Sequence, residues 1–97
     1  MAKGYWIARM TVNNPDEYAK YIEGAGPAFK RHGAKFLVRS GRTEAVEGPG
    51  RARNVVIEFA SFDEALACYN APDYQAAAKF RHASAEGEIT IGEGFEG

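Results

Sequence analysis

The chain switches between two hydrophobic periods. Residues 4–12, GYWIARMTV, alternate and are rich in aromatic and β-branched side chains, which predicts a first strand. In the next stretch Tyr18, Tyr21, Ile22, Ala25 and Phe29 recur at helical spacing. Asn14 is a good N-cap for that helix, Pro15 fits its first position, and Glu17 stands three residues after the cap. Gly26-Pro27 predicts a kink or a split into two helices. Arg31 and His32 suit the negative end of the helix dipole, and Gly33 suits the C-cap. AKFLVRSG and RARNVVIEFA predict strands two and three, with a turn at Gly48-Pro49-Gly50. The two read as a long hairpin with a bulge near Gly41. Ser61 and Glu64 form an S-x-x-E cap on a second helix, whose apolar stripe is Phe62, Ala65, Leu66 and Tyr69. Pro72 stops it and opens a short helix, PDYQAAAKFRHA, and GEITIGEGF reads as a fourth strand.

The resulting order, βαββαβ, predicts an α+β ferredoxin-like fold: a four-stranded antiparallel sheet with the helices on one face. With 97 residues there is room for one domain, spanning 1–97, and for a core of modest margin.

Strand alternation then raises a question about Glu58. Val55, Ile57 and Phe59 share one face of strand three, while Val56 and Glu58 share the other. Strand one splits into Trp6, Ala8, Met10 and Val12 against Tyr5, Ile7, Arg9 and Thr11. Strand two splits into Phe36 and Val38 against Leu37 and Arg39. The apolar sets are expected beneath the helices. The opposite face would gather Tyr5, Ile7, Leu37 and Val56 with Arg9, Arg39 and Glu58. A register set by the Gly48–Gly50 turn puts Arg39 almost opposite Glu58. A solvated charge pair explains the acid but not the apolar residues around it. A second copy covering the face would bury them and enclose Glu58 in a shared, partly dry cavity.

Composition narrows the classes. Net charge is −1 with both signs mixed along the chain, which offers no general attraction to nucleic acid or an anionic membrane; Arg51 and Arg53 are a local basic pair. The single cysteine, Cys68, has no disulfide partner, and a small buried hydrophobe is its ordinary role. No apolar run approaches a membrane span, and MAKGYWIARM does not read as a signal peptide, so a soluble cytoplasmic protein is expected. His32 and His82 lack metal-ligand spacing, so neither a metal nor a cofactor is expected.

Several stretches carry a family resemblance: KGYWIARMTV, PDEYAKY, HGAKFLVRSG, EGPGRARNVVIEF, SFDEALACYNAPDYQAAAKFR and the closing GEG. Over nearly its whole length the chain resembles domain-of-unknown-function family 1330, of the dimeric α+β barrel superfamily. The resemblance implies a ferredoxin-like protomer whose sheet packs face to face on a second copy. The family pattern matches at Arg39, at Glu58 before Phe59, at Tyr69, at Pro72 with Tyr74, and at Arg81. Asn14 stands where the family often has Asp, and Ala71 where it usually has Ser, so the third helix is expected to start without a side-chain cap. "HGAKF" also replaces a more usual double glycine. The wider superfamily spans cofactor-free monooxygenases, lactone isomerases, haem enzymes and ligand sensors, so the fold decides no reaction.

The expected site follows. Glu58 is the candidate general base, and Arg9 or Arg39 would hold a carboxylate or enolate oxygen of an anionic metabolite. The two roles compete, because a paired arginine makes a carboxylate a poorer base. Tyr74 and Arg81 are read as rim residues contacting the ligand, against the alternatives of core packing and helix-dipole pairing. A structural or regulatory homodimer without ligand is the alternative reading. An RNA-recognition module shares the topology, but Val56 and Glu58 stand where stacking aromatics would be needed. Acylphosphatase shares it too, but NNPDE is no phosphate cradle.

Overall fold

The computed structural model describes residues 2–96. Its elements run β1 (Gly4–Val12), α1 (Pro15–Arg31), β2 (Lys35–Arg39), β3 (Arg53–Phe59), α2 (Phe62–Asn70), α3 (Pro72–Ser84) and β4 (Ala85–Glu93). The strands form one antiparallel sheet in the order β2-β3-β1-β4. The helices cover one face, as the alternation requires: Trp6, Ala8, Met10, Val55, Ile57 and Phe59 are all buried there.

Trp6 is the centre of the core. Its ring stands edge-on to Phe29, Tyr69 and Tyr74, with centroids 5.1–5.9 Å away. Its Nε1 donates to the Ala65 carbonyl at 2.8 Å, which pins α2 to β1. Gly4 allows that approach. A Cβ there would lie 2.2 Å from the Ser61 carbonyl oxygen.

The caps form largely as the sequence predicts. Asn14 accepts from the Glu17 amide and Ser61 from the Glu64 amide, while Ala71 gives α3 no side-chain cap. Gly26-Pro27 does not split α1, which runs unbroken through Pro27. The proline is exposed, and the fully buried Ala25 and Ala28 hold that turn from the inner side. Gly24 of α1 lies against Ala77 of α3, where an added Cβ would stand 3.0 Å from the Ala77 Cβ, and such small residues let the two helices approach closely. Thus α1 packs closely on α3, and its aromatic side chains reach the sheet, Phe29 meeting Trp6 of β1 and Phe36 of β2.

The hairpin departs from expectation. β2 has five residues, and the bulge lies between Phe36 and Val38 rather than near Gly41. Beyond the bulge the faces exchange. Val38 pairs with Val56 on the open face, and Arg39 pairs with Val55 on the helix face. Among the described residues, no helix is long and apolar enough to cross a membrane.

Candidate functional site

The residues singled out by the sequence fall in three places. Tyr5, Ile7, Arg9, Val56 and Glu58 share the open sheet face, as alternation predicts. Arg39 is not with them, and the expected Arg39–Glu58 pair does not form. Glu58 stands opposite Lys35 on β2 and Tyr5 on β1. It accepts a 2.9 Å hydrogen bond from the Tyr5 hydroxyl, and this contact pushes the Tyr5 pKa up. Arg9 stands opposite Glu88, but Glu88 is held by Arg51, whose Nε and Nη2 reach it at 3.2 and 3.0 Å. Arg51 also donates to Thr11, so it straps β1 to β4.

Tyr74 and Arg81 rim no opening. Tyr74 is fully buried, and its hydroxyl lies 2.9 Å from that of Tyr21. The Arg81 guanidinium is buried over the Tyr21 ring at 5.5 Å, and its Nε has no hydrogen-bond partner. Both belong to the layer between α1 and α3. Burial pushes the Tyr21 hydroxyl far above its ordinary value, so it remains protonated. Burial likewise pushes the Cys68 thiol up to about 12, which removes it as a nucleophile.

A cleft lies elsewhere, beneath α1 and bordered by β1, β2 and β3. Its inner chamber, of about 40 Å³, is walled by aromatic and aliphatic side chains, including Trp6, Tyr21, Phe29, Phe36 and Ile57. An open depression adjoins it at each end. One, of about 400 Å³, lies beside the first half of α1 and shares Tyr18, Ile22 and Arg53 with the chamber. The other, of about 280 Å³, lies beside the second half and shares Ile22, Phe29, Phe36 and Arg39. The apolar lining is that of a small-molecule site, but the enclosed chamber is far below the roughly 300–1,000 Å³ such sites have, so a ligand would rest mainly in the open depressions.

The charge in the cleft is of one sign. Arg53 and Arg39 border the chamber and Lys30 borders the second depression, whereas no aspartate or glutamate among the described residues lines any of the three spaces. Each arginine is parked on a ring: Arg53 lies 5.1 Å from the Tyr18 centroid and Arg39 lies 4.2 Å from that of Phe36. Arg53 Nε donates to the Tyr18 hydroxyl at 3.1 Å. Neither forms an ion pair with a described carboxylate. Stacking occupies the face of a guanidinium and leaves its in-plane N–H groups for an anion.

Sequence reasoning placed neither arginine on this face, although the signal for one of them was present. Arg53 alternates in phase with Val55, Ile57 and Phe59, so an arginine on the core face was legible. Arg39 was not, because a bulge that reverses the faces leaves no residue signature.

The comparisons fit this architecture. The family described as a domain of unknown function, DUF1330, matches residues 3–95. No functionally curated protein matches the chain in sequence. Among solved structures, a protein of unknown function from Rhodopseudomonas palustris is similar with a TM-score of 0.80 and 17% identity, over 99% of this chain and 85% of that one. SnoaB, a cofactor-independent oxygenase from Streptomyces nogalater, is similar with a TM-score of 0.64 and 16% identity, over 100% and 97%. A dimeric ferredoxin-like protein of unknown function from Thermobifida fusca gives 0.60 and 18%, over 95% and 89%. At these identities the likeness is one of fold. The family match covers nearly the whole chain, and the chain therefore belongs to the DUF1330 family.

Proposed function

We propose that this chain binds a small organic anion in the cleft between α1 and the β2–β3 half of the sheet. The observation that carries this reading is the lining: an aromatic chamber bordered by Arg39 and Arg53, with Lys30 nearby and no acid among the described lining residues. The arginines would hold a carboxylate, or the oxyanion of an enolate, against apolar walls that exclude water. The cleft itself offers no carboxylate base. Burial keeps the Tyr21 hydroxyl protonated, so it is no base there, and any turnover would draw on the reactivity of the substrate. The likeness to a cofactor-independent oxygenase is in keeping with such chemistry.

A second reading concerns the open face. Ile7 is 46% exposed and Leu37 47%, with Val38 beside them, in a patch that also holds Tyr5, Arg9 and Glu58. A second copy seated there would cover the patch and enclose Glu58 as a candidate base, with Arg9, four positions further along the same face, as the anion-binding group. The Thermobifida fusca protein is described as dimeric, which supports that arrangement.

One experiment separates the two sites. Amide NMR spectra recorded while benzoate and octanoate are titrated should show shifts at Ile22, Phe36, Arg39 and Arg53. Shifts confined to Tyr5, Ile7, Val56 and Glu58 would transfer the ligand to the open face. Glu58→Gln should leave binding in the cleft unchanged.

A further inference from the structure

The open face of the sheet is ordered in three rows. Lys35, Glu58, Tyr5 and Gly92 stand side by side across the strands in the first. Val38, Val56, Ile7 and Thr90 form the second, and Asn54, Arg9 and Glu88 the third. Rows are two positions apart, so the apolar middle row lies about 7 Å from the charged row on either side. Each outer row holds an unmatched charge. Glu58 accepts from the Tyr5 hydroxyl but forms no ion pair with Lys35 or another described cation. Arg9 has no described partner, because Arg51 holds Glu88. Within one copy the Glu58 and Arg9 rows are about 13 Å apart, too far for the two side chains to pair.

A second copy seated face to face is related to the first by a twofold axis lying between the sheets. An axis running along the strands would lay each outer row on its own copy, acid level with acid and Arg9 level with Arg9. An axis running along the middle row exchanges the outer rows instead. Ile7 and Val56 then meet their own copies. The partner's Arg9 falls over Tyr5, one strand from Glu58, and the partner's Asn54 falls over Glu58 itself. The partner's Glu88 falls over Gly92, where no side chain obstructs it. Packed sheets cross at about 30°, which shifts the outer rows by only about 3–4 Å, within the sweep of an arginine side chain. Like charges brought together in a covered face oppose assembly, whereas opposite charges fix its register.

We propose that the open face pairs with a second copy about the axis along the middle row, so that the partner's Arg9 supplies the cation of the Glu58 site. The site is then composite: the acid and its tyrosine come from one copy and the guanidinium from the other, and a dimer holds two such sites. This rests on the open face being covered by a second copy, and it deepens that reading by fixing the axis and the residue each copy lends.

The test mixes full-length charge-reversed chains. Arg9→Glu and Glu58→Arg, each alone, should weaken self-association at least about tenfold in sedimentation velocity. Mixed one to one, they should form a heterodimer of near-original affinity, because each chain carries the charge that the other's reversed residue needs. Thermal melts establish that each variant is folded. Where a reversed chain fails to fold, Arg9→Gln and Glu58→Gln carry the test, and the double neutral variant should lose no more affinity than either single one. Arg9→Glu binding the unchanged chain more tightly than that chain binds itself would place the two Arg9 residues together and overturn the axis. Single reversals that leave the dimer intact, or a mixture no tighter than its separate chains, would overturn the composite site and leave the covered face standing. An unchanged chain that sediments as a monomer at micromolar concentration would overturn the covered face itself.

Discussion

Gly4 carries a larger packing constraint than its size suggests. Its α-carbon lies against the chain entering α2, and the Ser61 carbonyl occupies the place where a Cβ would stand. Because the obstacle is backbone, a side-chain rotation cannot relieve it. Gly4→Ala is therefore expected to cost about 2–3 kcal/mol of stability. A denaturant titration will read this as a lower midpoint at unchanged slope. At this scale the sequence was informative about type and less so about partner. Trp6, Ile57 and Phe59 were legible as core from alternation alone. Glu58 was legible as a residue of the non-core face, but not as an acceptor for Tyr5. Tyr74 and Arg81 looked like rim residues because nothing in a helical stripe tells which neighbouring helix will close over it. Arg81 is buried by α1, an element far away in sequence.

The elements are held by a few polar ties at their ends. Arg31, in the last turn of α1, donates to both carboxylate oxygens of Asp73 at 2.8 and 2.9 Å, in the first turn of α3. These hydrogen bonds and the guanidinium charge hold the Asp73 carboxyl down to about 2, against an ordinary 3.8. The folded value lies below the unfolded one. The tie's contribution is therefore fully present above about pH 4 and is lost as the pH falls towards 2. The pair is exposed, so its effect on stability is slight, and the sharper readout is the titration of the group itself. A carboxyl-detected NMR titration should place the Asp73 midpoint near 2, and Arg31→Gln should return it towards 3.8. The His32 Nδ1–Glu64 contact, at 2.5 Å, plays the same part between the end of α1 and the start of α2. It also explains why the S-x-x-E cap is only half made. The Ser61 hydroxyl oxygen accepts from the Glu64 amide, while the Glu64 carboxylate is engaged by His32. Element types and order were readable because hydrophobic period and capping residues agree at almost every boundary. Pro27 misled because the breaker rule concerns an isolated helix, and here the buried alanines hold the turn together.

For the whole molecule, the sheet divides two chemistries. The helix side holds the core and a basic cleft, and the open side holds an apolar patch crossed by charges. If a second copy covers that patch, Ile7→Glu should weaken the assembly at least about tenfold, because it would place a carboxylate beside Glu58 in the covered face. Sedimentation velocity at micromolar concentration should then show a shift to monomer. Leu66→Glu, a change on the exposed helix layer, should leave the dimer intact. A chain that sediments as a monomer before any change would remove the enclosure around Glu58 and leave the cleft as the one proposed site.

The bulge at Leu37 also has an evolutionary consequence. It works as a parity switch: one extra residue in β2 decides on which side of the sheet the following residue, Arg39, emerges. Loss of a single codon there would carry a guanidinium from the cleft to the open face without altering the strand's charge. Two relatives with the same motif around Arg39 can therefore present it to different surroundings. An alignment of this family should count alternation separately on each side of Leu37.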